Sequence, residues 1–112
     1  MDSILKRLKE ATGPDYKIDK AIAEKFNDWH YSTNGIAREC HSYTSSIDAA
    51  LALVERMLPD YRVHVSALCG TAQADICKKD NEYPFGKPFN AATPPLAILT
   101  ALFSALEAKA HD

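Results

Sequence analysis

The sequence predicts a small α+β protein with about four helices and an antiparallel sheet of two to three strands. Three observations predict this fold class. Apolar residues recur every three or four positions in four segments, they alternate with polar residues between 61 and 79, and turn-forming residues separate these segments. Helices that cluster around one antiparallel sheet define the α+β class. The 112 residues suffice for a single domain, which we assign to 1–112.

Capping residues and apolar stripes predict the first two helices. The first spans about 2–12 and ends at Gly13-Pro14, because glycine accepts the geometry beyond a helix end and proline cannot continue the helix. The second spans about 15–27, with Asp15 as its N-cap. Their apolar faces consist of Ile4, Leu5, Leu8, Ile18, Ile22 and Phe26.

The other two helices also have recognisable starts. One opens at Ser45-Ser46 and ends before Pro59. The last begins at Thr93-Pro94-Pro95 and continues to about 110, because threonine caps a helix and proline suits its first turn. Their apolar faces consist of Ile47, Ala50, Leu51, Val54 and Leu58 in the third helix, and of Leu96, Leu99, Leu102, Phe103 and Leu106 in the fourth.

The segments between the third and fourth helices predict the sheet. Residues 61–69 and 71–79 alternate between apolar and polar, and Gly70 supplies a turn between them, so we predict an antiparallel hairpin. A short third strand fits 82–85, where Pro84 confines it to an edge or a bulge.

Two stretches have no clear period and contain most of the aromatic residues. The stretch 27–43 is long for a structureless connection, and such loops are often functional. Asn34-Gly35 marks a tight turn within it. The stretch 80–92 combines turn formers with aromatic residues. We therefore expect functional residues in these two stretches.

The helical segments carry a family resemblance. An opening LKRLKEATGPDYKIDKAIAEKF, a central YTSSIDAALALV, a hairpin and a closing ATPPLAILTALFSALEAKA resemble the phage ABA-sandwich domain family. That family comprises small proteins of phages and prophages of Gram-negative bacteria. The resemblance implies an α/β/α-type sandwich and no reaction, so no catalytic or ligand residue carries over. WHYSTNGIARECH and EYPFGKPFN depart from the family pattern, so differences in function are expected there.

Charge and motif content argue against several function classes. The 13 Lys and Arg residues against 15 Asp and Glu leave a net charge of -2, without a basic excess for generic nucleic-acid binding. The sequence lacks a GxSxG nucleophile elbow and a phosphate-binding glycine loop. We therefore expect no enzymatic activity, no catalytic residue and no cofactor. No apolar run is long enough for a membrane span, and no signal peptide is apparent, which indicates the cytoplasm of a bacterial host.

The three cysteines are expected to be reduced thiols that pack as small hydrophobic residues. Cys69 and Cys77 lie on neighbouring predicted strands, which leaves a disulfide as an alternative. His30, Cys40 and His41 are the candidates for a zinc site, although their spacing is unspecific. We therefore predict no metal site.

Protein binding is the leading hypothesis for function. Aromatic residues and arginine commonly anchor protein interfaces. A small phage protein without catalytic residues most often acts by binding a host or viral protein, so we expect an inhibitor of bacterial defence, such as an anti-CRISPR protein. Whether the aromatic residues belong to the core or to an interface is left open. The candidate protein-binding residues are Trp29, Tyr31, Arg38, Tyr83, Phe85, Lys87 and Phe89.

Nucleic-acid binding and self-association are the alternatives. The helix, strands and helix of the second half resemble a double-stranded-RNA-binding domain, but the start of the last helix, AATPPLAIL, lacks the basic residues that contact phosphates. A small patch of Lys78, Lys79 and Lys87 lies near aromatic residues that could stack on bases. A homodimer could form through the alanine-rich last helix or an uncovered sheet edge.

Overall fold

The computed structural model describes residues 2–31, 38–68, 71–78 and 89–110. These ranges contain four helices and a three-stranded antiparallel sheet, which confirms the predicted α+β class. They also contain a separate pair of short strands. The elements in chain order are α1 (Asp2–Glu10), α2 (Tyr16–Phe26), β1 (Trp29–Tyr31), β2 (Arg38–Cys40), α3 (Ile47–Met57), β3 (Tyr61–Leu68), β4 (Thr71–Lys78), β5 (Phe89–Ala91) and α4 (Pro94–Ala110).

The helix starts follow the predicted caps. The carboxylate of Asp15 accepts the backbone N–H of Lys17 at 2.9 Å, which confirms its role at the start of α2. Ser46 rather than Ser45 caps α3, because its hydroxyl accepts the N–H of Ala49 at 3.2 Å. At the other end of α2, Asn27 adopts a left-handed conformation with φ 52°, which ends the helix at Phe26.

The three-stranded sheet has the order β3-β4-β5, with antiparallel neighbours. Leu68 lies opposite Thr71 and Tyr61 opposite Lys78, which confirms the predicted hairpin. Ala74 of β4 lies opposite Phe89 of β5. The third strand predicted at 82–85, like the turn at Gly70, lies outside the described residues.

The expectation that 27–43 is irregular throughout is wrong. β1 and β2 pair antiparallel within this stretch, with Trp29 opposite Cys40 and Tyr31 opposite Arg38. Each strand has only three residues, which is too short for an alternating pattern to stand out in the sequence. The predicted turn at Asn34-Gly35 lies outside the described residues.

Helix α4 is the centre of the fold. Residues 96–103 are at most 1% exposed, on every side of the helix. One side contacts the sheet, and other sides contact α1 and α3. Helix α4 therefore contacts the sheet as well as two of the other helices, and α3 also contacts β3. A helix that is apolar all round must be covered all round. Within the described ranges, no helix is long and apolar enough to cross a membrane.

Candidate functional site

The structure describes four of the seven predicted binding residues. Trp29 begins β1 and Phe89 begins β5, and both side chains are half-buried against the hydrophobic core. Tyr31 and Arg38 are paired across β1 and β2, so the fold brings these two positions together. The remaining candidates lie outside the described residues: Tyr83, Phe85 and Lys87.

Asp28, just before β1, fixes the β1–β2 pair to α3. The Tyr43 hydroxyl donates a hydrogen bond to the Asp28 carboxylate, and the guanidinium of Arg56 forms an ion pair with it. His41 Nε2 lies 3.8 Å from Asp28 Oδ1, and the His41 and Tyr43 rings meet edge-on with centroids 5.6 Å apart. One carboxylate therefore joins the start of β1, the chain after β2 and the last turn of α3.

The hydrogen bonds and ion pair of Asp28 are suited to holding β1, β2 and α3 in position. Burial, followed by the hydrogen bond to Asp28, raises the pKa of Tyr43 far above its ordinary value, so its hydroxyl stays a neutral donor. The Asp28 carboxylate already accepts from Tyr43 and Arg56, and it is therefore not a free general base. A small cleft of about 150 Å³ adjoins the network. Its lining consists of Asp28, His41, Tyr43, Ala49, Ala52, Leu53 and Arg56.

A second set of hydrogen bonds joins the starts of α2 and α3. The backbone N–H of Asp15 donates to the Thr44 hydroxyl at 2.8 Å. The backbone N–H of Thr44 donates to the buried carboxylate of Asp19 at 2.8 Å. Burial raises the pKa of Asp19, while the hydrogen bonds from Thr44 oppose that rise. This set fixes the turn that precedes α3 against the first turn of α2.

Two exposed apolar side chains follow these hydrogen-bonded residues in the chain. Tyr16, 69% exposed, follows Asp15 at the start of α2. Ile47, 42% exposed, begins α3 three residues after Thr44. We call Tyr16 and Ile47 the helix-start surface. Large exposed apolar residues that the fold brings to one region are typical of interaction sites.

The sequence patterns did not predict the helix-start surface. Tyr16 falls outside the stripe of Ile18, Ile22 and Phe26 on α2, which is the signal that could have revealed its exposure. Ile47 matches the apolar period of α3, so the pattern predicted burial. The structure leaves Ile47 exposed, whereas Ala50 and Val54 on the same helix are buried.

The cysteine and metal candidates are only partly described. Cys40 is a half-buried free thiol whose pKa is raised, chiefly by burial. Cys69 and the side chains of Cys77 and His30 are not described. Among the described side chains, no group of three His, Cys, Asp or Glu residues is arranged to hold a metal ion.

Comparison with known proteins provides no relative for this chain. No family model, curated protein or solved structure matches it.

Proposed function

We propose that this protein is a non-enzymatic phage or prophage accessory protein that acts by binding a host or viral protein. The partner class that we propose is a bacterial defence complex such as a CRISPR effector, encountered in the host cytoplasm. The observation that carries the proposal is the helix-start surface: Tyr16 and Ile47 are exposed, and the Asp15–Thr44 hydrogen bond joins the chain just before each of them. The resemblance of the sequence motifs to a phage family supports the biological setting.

The hydrogen bonds beneath this surface support a binding role. Asp15 caps α2 and also bonds to Thr44, and Ser46 caps α3. Both apolar side chains therefore stand on helix starts whose backbone is already fixed. A surface that is ordered before binding loses less entropy when a partner docks, which favours affinity. Tyrosine is also among the residues that contribute most to binding energy at interfaces.

The proposal can be tested with paired surface variants. The double variant Tyr16→Ala with Ile47→Ala removes the apolar side chains, and Lys25→Ala with Glu55→Ala serves as control because both residues are exposed on the same two helices. We expect wild type and control to restore phage plaque formation on a CRISPR-immune host and to bind the purified effector. The Tyr16/Ile47 variant should lose both activities while keeping its circular dichroism spectrum.

Two results would contradict the proposal. Wild-type protein that neither protects phage nor binds purified defence complexes would argue against the proposed partner class. Full activity of the Tyr16/Ile47 double variant would remove the helix-start surface as the binding site.

Nucleic-acid binding is the second candidate. The element order α3-β3-β4-β5-α4 is that of a helix, three antiparallel strands and a helix, as in the double-stranded-RNA-binding domains that the sequence resembled. However, Leu96, Ile98 and Leu99 in the first turns of α4 are buried, and no basic residue lies there. A gel-shift series with double-stranded RNA tests this candidate, because phosphate binding strengthens steeply as the salt concentration falls. Absence of a shift at the lowest salt rejects it.

A further inference from the structure

Strand β3 is the exposed long edge of the sheet. The strand order β3-β4-β5 places it at one side, and within the described ranges it pairs with β4 alone. Its eight residues contrast with the three of β5 at the opposite edge. Residues 64–67 are all exposed, and Val65 is 40% exposed. Long uncovered edges tend to pair with another strand.

In β3, the backbone N–H and C=O groups of alternate residues face the open side of the sheet. The N–H of Tyr61 donates to the carbonyl of Leu58 at 3.0 Å and therefore points away from β4. In an antiparallel pair, alternate residues direct both of their backbone polar groups to the same side. Val63, Val65 and Ala67 share the parity of Tyr61, so their N–H and C=O groups face the open edge.

The same strand lacks the usual devices against edge pairing. Residues 61–67 include no proline, lysine, glycine or acidic residue. The four residues that face the edge with their backbone are all apolar or aromatic. Arg62 and His64, the two basic residues, belong to the alternate set, whose side chains point to the other face of the sheet.

We propose that a second copy of this chain pairs antiparallel with β3, with the two-fold axis at His64. This register is self-complementary: Val63 faces Val65 of the second copy, Tyr61 faces its Ala67, and Arg62 faces its Ser66. The large Tyr61 and Arg62 thus face the small Ala67 and Ser66, and no two arginines meet. The axis also places the two His64 side chains opposite each other. Centring the axis at Val63 instead would place the permanently charged Arg62 opposite His64 of the second copy at two symmetric positions, which is less favourable. The dimer extends both sheets into one and buries the apolar edge residues.

Light scattering of the full chain across a concentration series tests the dimer. We expect the mass to rise from 12.4 kDa towards twice that value as concentration increases. Val65→Pro removes an outward N–H without breaking the β3–β4 ladder and should stay monomeric. Val65→Thr keeps the N–H and should dimerise. Val65→Lys provides a second monomeric variant if proline prevents folding.

Cysteine cross-linking tests the register. His64→Cys should give a disulfide-linked dimer under oxidation, because two residues on the axis face each other at disulfide distance. Ser66→Cys should not, since it faces Arg62 of the second copy, and wild type reports any contribution from the native cysteines. A wild type that is monomeric at every concentration overturns the proposal, including the case where β3 binds a segment of another protein. Dimerisation of Val65→Pro and Val65→Lys at wild-type strength also overturns it.

Discussion

At Asp19, burial and hydrogen bonding act on the pKa in opposite directions. Its carboxylate is buried and accepts the backbone N–H of Thr44 at 2.8 Å. Burial raises its pKa above the ordinary 3.8 despite that hydrogen bond. A raised pKa means that the folded state binds the proton more tightly than the unfolded state does. The stabilisation from Asp19 is therefore complete below about pH 3.8 and is lost as pH rises through the folded pKa.

Asp19→Asn should remove this part of the pH dependence. The amide oxygen still accepts the Thr44 N–H, and no charge has to be buried at neutral pH. We expect the variant to match or exceed the wild-type free energy of unfolding at pH 7, and to lose that advantage towards pH 3. Urea denaturation of both proteins across this range measures the difference. If the free energy of unfolding of Asp19→Asn depends on pH as that of the wild type does, Asp19 does not cause this pH dependence.

Asp19→Ala separates charge from hydrogen bonding. It removes the acceptor as well as the charge, so the buried N–H of Thr44 loses its partner. We expect a loss of about 1–3 kcal/mol relative to Asp19→Asn, which is the usual cost of an unsatisfied buried donor. If the two variants are equally stable at pH 7, the Thr44 hydrogen bond does not contribute.

At the scale of single elements, the β1–β2 pair depends on contacts beyond its own short ladder. Tyr43→Phe removes the hydroxyl that donates to Asp28, while the Arg56 ion pair remains. We expect faster hydrogen exchange of the amides in 29–31 and 38–40, and a loss of about 1 kcal/mol in stability. Tyr61→Phe on β3 is the matched control and should leave exchange in these strands unchanged. Equal exchange in both variants would show that Asp28 does not fix the pair.

Helix α4 concentrates the core in one element. Leu99 is fully buried, and we expect Leu99→Ala to lower the free energy of unfolding by about 2–5 kcal/mol. Leu106→Ala in the same helix should cost less, because Leu106 is only half-buried at the core margin. Chemical denaturation measures both losses. Equal losses would contradict the central position of the first half of α4.

The sequence predicted those elements whose signals are local. Asp15, Thr93 and the alternation of β3 and β4 each act within a few residues, and the structure has the corresponding helices and hairpin. β1 and β2 were missed because strands of three residues show no alternation, and the Asp28 contacts near them come from Tyr43 and Arg56, which lie far along the chain. For the candidate site, aromatic character alone could not distinguish the half-buried Trp29 from the exposed Tyr16.

At the scale of the whole molecule, the central position of α4 could not be predicted from the separate apolar faces of the helices. Each helix face indicates that something covers it, but not which element does so. The run 96–103 contained one further signal, because seven of its eight residues are apolar and occupy every side of the helix. Thr100, the exception, is buried because its hydroxyl donates to the Leu96 carbonyl at 2.7 Å. That pattern is typical of a central helix.

Removal of α4 should therefore abolish the whole fold. A chain that ends at Thr93 keeps α1, α3 and the sheet but loses the element that all of them contact. We expect it to lack cooperative unfolding and dispersed amide resonances. Adding a peptide of residues 94–110 should restore both properties, because it supplies the helix that the other elements contact. A shortened chain that folds cooperatively by itself would contradict this view of the core.

The position of α4 also has a consequence for synthesis. Proteins emerge from the ribosome from the N-terminus onwards. Here the central helix emerges after every element that packs around it. The buried cluster that includes α4 also contains Ile22 of α2, Leu53 of α3 and Ala74 of β4. These apolar residues therefore remain exposed until residues 94–110 have been synthesised. Nascent chains of this protein should accordingly be most vulnerable to aggregation and chaperone binding just before the last helix appears.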